Sequence, residues 1–296
     1  MKDRIIRGMA GNSQIRFFGV DCLEAVQEVQ RVHELSITTS VLMGRMLSAA
    51  LMMGLEQKSE NEKLTLKVNG SEEVRTVIVT SDNQGRVKGY IDNPAAELKL
   101  RENGTINVGG AIGEGTLTVI RDMGSGTPYQ GTIELQNGEI GTDLSYYYSQ
   151  SEQVPTAMGL GVLIEPEGVI RQAGGFMVQL MPEAEEAVVD VLESNLKELP
   201  NLTDLLDMGY TIEEILEKLV LKGLDSEIKL SQPARYYCDC SSEKFLMGVK
   251  LLDRTELEES LQKSEDIIVQ CHFCNKEYHY GKDEIEEILT EAAKEN

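Results

Sequence analysis

Four of the chain's five cysteines fall in two tight pairs near the C-terminus. Cys238 and Cys240 lie in "YYCDCSSEKF", and Cys271 and Cys274 in "VQCHFCNKEY", with thirty residues between the pairs. Cysteines one or two residues apart on a turn present both sulfurs to one point. Two such pairs complete a tetrahedral shell, with each sulfur about 2.3 Å from a metal ion. The spacing therefore predicts a zinc site built from Cys238, Cys240, Cys271 and Cys274. Four ordinary buried cysteines would not be set among residues as polar as Asp239, Ser241 and Asn275. His272 sits between the second pair and would compete poorly for the same vertex. His279, in "EYHY", is expected to face out of a short strand. Neither histidine is counted as a ligand.

A closed shell of four thiolates leaves no open coordination position, which argues against hydrolytic catalysis. No Ser/His/Asp set or carboxylate pair stands out elsewhere, so no catalytic residues are assigned and the chain is not expected to be an enzyme. "GGAIGEG" at 109–115 lacks the order of a nucleotide-binding loop and is read as turns between strands. No stretch approaches the roughly 20 uninterrupted apolar residues of a membrane span. The richest segment, Val41 to Leu55, carries Arg45 and is read as a buried helix. The start, "MKDRIIRGMAGNSQIRFF", does not look like a secretory signal. A cytoplasmic location follows as the expectation. There thiols stay reduced, and paired cysteines bind metal or do redox work. The formal net charge of -22 repels phosphate backbones, which argues against nucleic acid as a partner.

The predicted fold class is α+β. An N-terminal domain of helices and antiparallel strands (1–181) precedes a helical connector (182–230) and a small C-terminal zinc-binding module (231–296). Asp21 with Glu24 reads as a capping box for the helix "CLEAVQEVQRVHELS", and "TTSVLMGRMLSAALMMGLEQ" as a core helix, so the domain is expected to start helical. "KLTLKVNG", "EVRTVIVTSDNQGRVKGYIDNP" and "GTLTVIRDMG" alternate apolar and polar residues, as antiparallel strands do. From Pro182 an apolar stripe with acidic flanks marks helices, and Thr211 with Glu214 forms a second capping box. Asp283 is a candidate N-cap for the final helix. Met43, Met46, Met52 and Met53 suit either a core or an adaptable client surface, and Tyr146 to Tyr148 either packing or a client or dimer contact. Cys22 and His33 are read as structural.

Two readings of the metal site stay open on these residues. The zinc is purely structural, in a static interaction or adaptor protein, or its thiolates are a redox sensor. Metal-held sulfurs are in the reactive form, and oxidant drives them toward disulfides that bind zinc poorly. The tail has few large apolar residues, so loss of the ion should unfold it and loosen a connector docked against it.

The stretches "ARYYCDCSSEKF", "VQCHFCNKEYHY", "GEIGTDLSYYYSQSEQVPTAMGLGV" and "RQAGGFMVQLMP" add a resemblance. Over nearly its whole length the chain resembles the bacterial redox-regulated holdase chaperones of the 33-kilodalton heat-shock protein family. The resemblance implies that the reduced, inactive form holds one zinc through Cys238, Cys240, Cys271 and Cys274. It further implies that oxidation forms Cys238–Cys240 and Cys271–Cys274 disulfides, expels zinc and unfolds connector and tail. An oxidised homodimer would then hold unfolding client proteins without ATP and later pass them to ATP-dependent foldases.

Overall fold

The stretches "RIIRGMA" and "IRFFGVD" open the chain as a hairpin of β1 (Arg4–Ala10) and β2 (Ile15–Asp21) in the computed structural model, which describes residues 2–97, 100–102 and 104–294. The expected helical start is therefore corrected. Both faces of this hairpin are covered, so its strands lack the in–out alternation that betrays a half-solvated strand. Helices α1 (Leu23–His33) and α2 (Ile37–Gly54) follow. Asp21 ends β2 and does not cap α1. The carboxylate of Asp3, on the segment entering β1, accepts the backbone N–H groups of Glu24 (2.9 Å) and Ala25 (2.7 Å) instead.

Three alternating strands come next, β3 (Lys63–Gly70), β4 (Thr76–Ser81) and β5 (Arg86–Ile91). Then come the short α3 (Val108–Ile112), β6 (Gly115–Asp122), β7 (Tyr129–Glu134) and α4 (Gly141–Tyr147), which runs into a π-helical turn over Tyr148–Glu152. Long strands β8 (Thr156–Ile164) and β9 (Ile170–Leu180) lead to α5 (Glu186–Glu198), α6 (Leu202–Asp207) and α7 (Ile212–Ile215), the last continued by a π-helical turn to Val220. The Thr211–Glu214 capping box is formed as expected. The helical pattern stops short of Leu230, because β10 (Ser226–Pro233) and β11 (Arg235–Tyr236) are strands. The second compact unit, Cys238–Asn296, contains α8 (Ser242–Val249), α9 (Arg254–Lys263), the hairpin β12 (Ile267–Gln270) and β13 (Glu277–Tyr280), and α10 (Lys282–Lys294). Asp283 lies inside α10, and the end of its predicted helix, Glu295 and Asn296, falls outside the described residues.

Within the first unit, Met1–Tyr237, an antiparallel five-stranded sheet runs β10-β1-β2-β9-β8 and a six-stranded sheet runs β11-β5-β4-β3-β6-β7. The second sheet is antiparallel except where β11 joins β5 in parallel. Helix α2 packs on strands of both sheets, and all of it is buried except Ile37 and Arg45. It is long and apolar enough to cross a membrane by composition, but here it is the spine of a core. Met43, Met46, Met52 and Met53 are wholly buried in that core, as are Cys22, Tyr147 and Tyr148. His33 is buried against the carbonyl of Gly89.

Helices α5 to α7 lay their apolar faces on the outer side of the five-stranded sheet, where Leu192, Leu206, Ile215 and Leu216 meet Ile6, Phe17 and Phe176. The partner of the connector's apolar stripe is thus this sheet. Gly19 on β2 makes the fit possible, since a Cβ there would stand 2.7 Å from Leu216 Cδ1 and 2.9 Å from Ile212 Cγ1.

Candidate metal centre

Two loops carry the sulfurs. The first follows β11: Cys238 and Cys240 lie in irregular chain, and Ser241 then caps α8 by accepting the N–H of Lys244. Lys244 returns an ion pair to Asp239 at 2.8 Å, which fixes the residue between the two cysteines. The second loop is the turn of the β12–β13 hairpin. Asn275 adopts a left-handed φ of 57°, and its N–H donates to the carbonyl of Cys271 at 2.8 Å. The N–H of Cys271 in turn donates to Lys276 O at 2.9 Å. An asparagine tolerates that conformation at little cost, so the turn closes tightly and brings the sulfurs of Cys271 and Cys274 together.

The four Sγ atoms all lie within 4.8 Å of one another. Cys238 Sγ is 3.7 Å from Cys271 Sγ, and Cys240 Sγ is 3.4 Å from Cys274 Sγ. A tetrahedron with metal–sulfur bonds of about 2.3 Å has edges of about 3.8 Å. The donor set therefore fits a four-coordinate, thiophilic ion. Zinc suits it by geometry and softness, while hard cations that prefer oxygen do not. Both of these short separations run between the two motifs, so they do not themselves select a disulfide pairing within each motif.

The sulfurs do not ionise alike. Burial pushes the Cys238 thiol up, and pushes Cys274 up to about 11. Burial opposes ionisation of Cys240 as well, but the Tyr278 hydroxyl and the neighbouring thiols bring it down to about 7. That hydroxyl donates to Cys240 Sγ at 3.1 Å. A divalent cation among the four sulfurs favours the thiolate at each of them.

All four sequence-predicted ligands are brought together here. His279 is exposed on β13, 3.9 Å from Asp266 and 3.7 Å from Glu277, and His272 is exposed in the turn. Neither belongs to the cluster of candidate ligands. Sequence reasoning missed Tyr278. Its signal was the alternation in "EYHY", where Tyr278 and Tyr280 point inward and His279 outward. The Tyr278 ring packs 5.2 Å from Phe245, and Lys276 Nζ lies 5.0 Å from its centroid. The core around the site is small, comprising Val249, Leu257, Tyr278, Tyr280, Ile285, Ile288 and one candidate ligand, Cys271.

Residues 3–281 match the model of a family described as "Hsp33 protein". A 33 kDa chaperonin of Clostridium botulinum is 41% identical over 290 residues, spanning 98% of both chains. One of Clostridium perfringens is 42% identical over 296 residues, 99% of this chain and 93% of the relative. The crystal structure of the 33 kDa chaperonin (heat shock protein 33 homolog) from Thermotoga maritima matches with a TM-score of 0.88 at 33% identity, covering 99% of this chain and 100% of the other.

Proposed function

The chain belongs to the Hsp33 family of chaperones, and from that premise we propose that it is a cytoplasmic holdase switched on by oxidation of its metal-binding cysteines. The observation that carries the proposal is the convergence of four sulfurs within 4.8 Å in a unit whose own apolar core is very small.

In the reduced state Cys238, Cys240, Cys271 and Cys274 would hold one zinc, whose charge would favour the thiolate at each sulfur, and so join two loops at one point. Structural zinc contributes on the order of 10–16 kcal/mol of apparent stability in units of this size. A peroxide takes two electrons from each cysteine pair. Two thiolates become one disulfide, Cys238–Cys240 or Cys271–Cys274, while the peroxide takes up protons and is reduced to water. Disulfide sulfur is a poor donor, so the oxidised cysteines would no longer hold the ion and the second unit would lose the tie between its two loops.

The connector is the next element to loosen. Its helices are buried on one face only, and their release uncovers Ile6, Phe17, Phe176 and Val178 on the outer sheet face. Such an apolar face holds unfolding clients without sequence specificity and without ATP. The oxidised protein acts as a homodimer, and reduction favours transfer of clients to ATP-dependent foldases.

The test is to treat reduced, zinc-loaded protein with peroxide at raised temperature. Zinc release, far-UV circular dichroism and suppression of a thermally unfolding client's aggregation are followed together. The three are expected to change together and to reverse with reductant. Zinc loss and disulfide formation without any suppression of aggregation would leave a static, zinc-stabilised interaction protein as the better reading.

A further inference from the structure

One twelve-residue segment borders both sheets of the first unit. β10 pairs antiparallel with β1, from Arg4 opposite Pro233 to Ala10 opposite Ser226. Two residues later β11 pairs with β5, and the N–H of Tyr237 donates to Val87 O at 2.9 Å. The next residue is Cys238. The strap therefore begins where the connector ends, and it runs directly into the first candidate metal ligand.

The two strands it joins differ in kind. β10 has the features that blunt an exposed edge. It carries a bulge opposite the Arg7–Gly8 step, a Glu227–Lys229 ion pair and a terminal Pro233. Every second residue of β10 is exposed, and its apolar side chains, Ile228 and Leu230, are only partly buried. β1 beneath it has neither proline nor acidic residue, and Ile5, Ile6, Gly8 and Ala10 are buried. Removing the strap replaces a well-protected edge with a less protected one, a row of backbone N–H and C=O groups flanked by the buried Ile5, Ile6 and Ala10 and by the half-buried Arg4 and Arg7. Such an edge pairs readily with an extended chain.

We propose that the outer edge of β1 is a client-binding site that takes an extended, β-prone segment of an unfolded polypeptide as an added antiparallel strand, and that β10 occupies this site in the resting protein. The inference rests on the chaperone reading above and names a surface for it. The strap shows what the edge accepts. Backbone pairing supplies the contact, which makes it indifferent to most side chains. Only two apolar positions matter, those of Ile228 and Leu230. The bulge turns Ile228 toward the connector side and Leu230 toward the α2 side of the sheet. The segment is anchored at one end by the connector, where Gly11 N–H donates to Asp225 O at 2.9 Å, and leads at the other into Cys238. Oxidation loosens both ends, and the strap between them leaves.

The test uses full-length protein and amide hydrogen exchange over residues 4–10. The probes are a synthetic peptide, SEIKLSQP, copied from the strap, and the same peptide N-methylated at alternate residues. The β1 amides that face away from β2 are expected to exchange slowly in reduced protein and at least about tenfold faster after oxidation. The plain peptide should slow them again and compete with a client in the aggregation assay, and the methylated one should do neither. The proposal is overturned if these amides stay protected in oxidised protein that suppresses aggregation. It is also overturned if the methylated peptide competes equally well, which would assign binding to apolar contact alone. Protection that returns on oxidation in proportion to protein concentration, without peptide, would assign the edge to a second copy of the chain and reject a client. Oxidised protein that fails to suppress aggregation removes the chaperone reading, and this inference with it.

Discussion

The two compact units are held together in different ways. In the first, α2 lies between two sheets, and its apolar side chains from Val41 to Met53 are almost completely buried. Burial at about 25 cal/mol per Å² over so large a core needs no ligand. In the second, the core is a handful of side chains, while Met247 and Leu251 remain 70% and 86% exposed. A unit of this size is marginal on burial alone. One of its few core residues, Cys271, is also a candidate ligand, so site and core cannot be separated. The connector stands between these extremes, buried on one face and wet on the other. The contrast teaches that a chain can keep one part permanently folded and make another conditional, by choosing burial for the first and sulfur for the second.

The largest effect expected is from breaking the sulfur cluster. Cys271→Ser, or a strong chelator on reduced protein, should abolish metal binding and remove hydrogen-exchange protection from β12, β13 and α10. Strands β3 to β6 should keep theirs. The predicted loss is on the order of 10 kcal/mol of apparent stability, confined to the second unit. A C-terminal unit that stays protease-resistant without metal would erase the contrast.

The same contrast explains what could be read from the chain. The cysteine spacing was legible because pairing two or three residues apart is local and the chemistry demands it. β3, β4 and β5 were legible because every second residue is buried, which leaves an alternating pattern. β1 and β2 were not, because α2 covers one face and the connector the other, and alternation disappears. The cap of α1 was misread because its acceptor, Asp3, lies some twenty residues upstream, where only the folded sheet brings it near. β10 was absorbed into the helical connector because its "EIKL" fits two periods over so short a run, and the pairing with β1 that decides the matter is remote in sequence. Tyr278 was passed over because a hydroxyl beside a sulfur has no sequence signature.

A second effect, of intermediate size, separates connector from core. Gly19→Val places side-chain atoms where Leu216 and Ile212 sit. Overpacking of this kind costs about 1–3 kcal/mol. The connector, docked by one face, should yield before the sheet does. We expect faster proteolysis between Glu186 and Val220, more binding of an apolar dye, and activation at lower oxidant concentration. Leu47→Ala in α2 should cost about 2–5 kcal/mol but lower the stability of the whole first unit at once. If both variants melt the unit in one step, connector and core are a single cooperative block.

A smaller effect is expected from pH. Arg4 on β1 donates to Glu213 on α7 at 2.5 Å, while Arg4 Nε and Asp21 Oδ2, 3.9 Å apart, are buried without hydrogen-bond partners among the described residues. Burial, with repulsion from Glu213, raises Asp21 to about 6, and burial raises Asp3 to about 6 against the pull of its two backbone donors. A carboxyl raised on folding stabilises the native state fully below its unfolded pKa, near 3.8, and loses that contribution as pH climbs through 6. The connector should therefore be gripped more firmly at pH 5.5 than at pH 7.5. Asp21→Asn should flatten this dependence and slow proteolysis of α7 at the higher pH. Equal pH dependence in parent and variant would place the titrating group elsewhere.

The finest test concerns the join between core and site in the second unit. Tyr278→Phe removes only the hydroxyl that donates to Cys240 Sγ and leaves the ring against Phe245 and Lys276. Packing should survive, so the folded content of the zinc-loaded protein should not change. A hydrogen bond to a metal-bound sulfur steadies the ligand and draws off some of its charge, and groups of this kind tune metal affinity. For one such bond we expect about tenfold weaker retention of zinc in competition with a chelator, the low end of what outer ligand partners contribute. Loss of that donor should also leave the Cys240 sulfur more open to peroxide, so zinc should leave sooner at a given dose. An unchanged affinity together with a lower melting temperature would instead assign Tyr278 wholly to the core. In that case the second unit would resemble the first more closely than the sulfur cluster suggests.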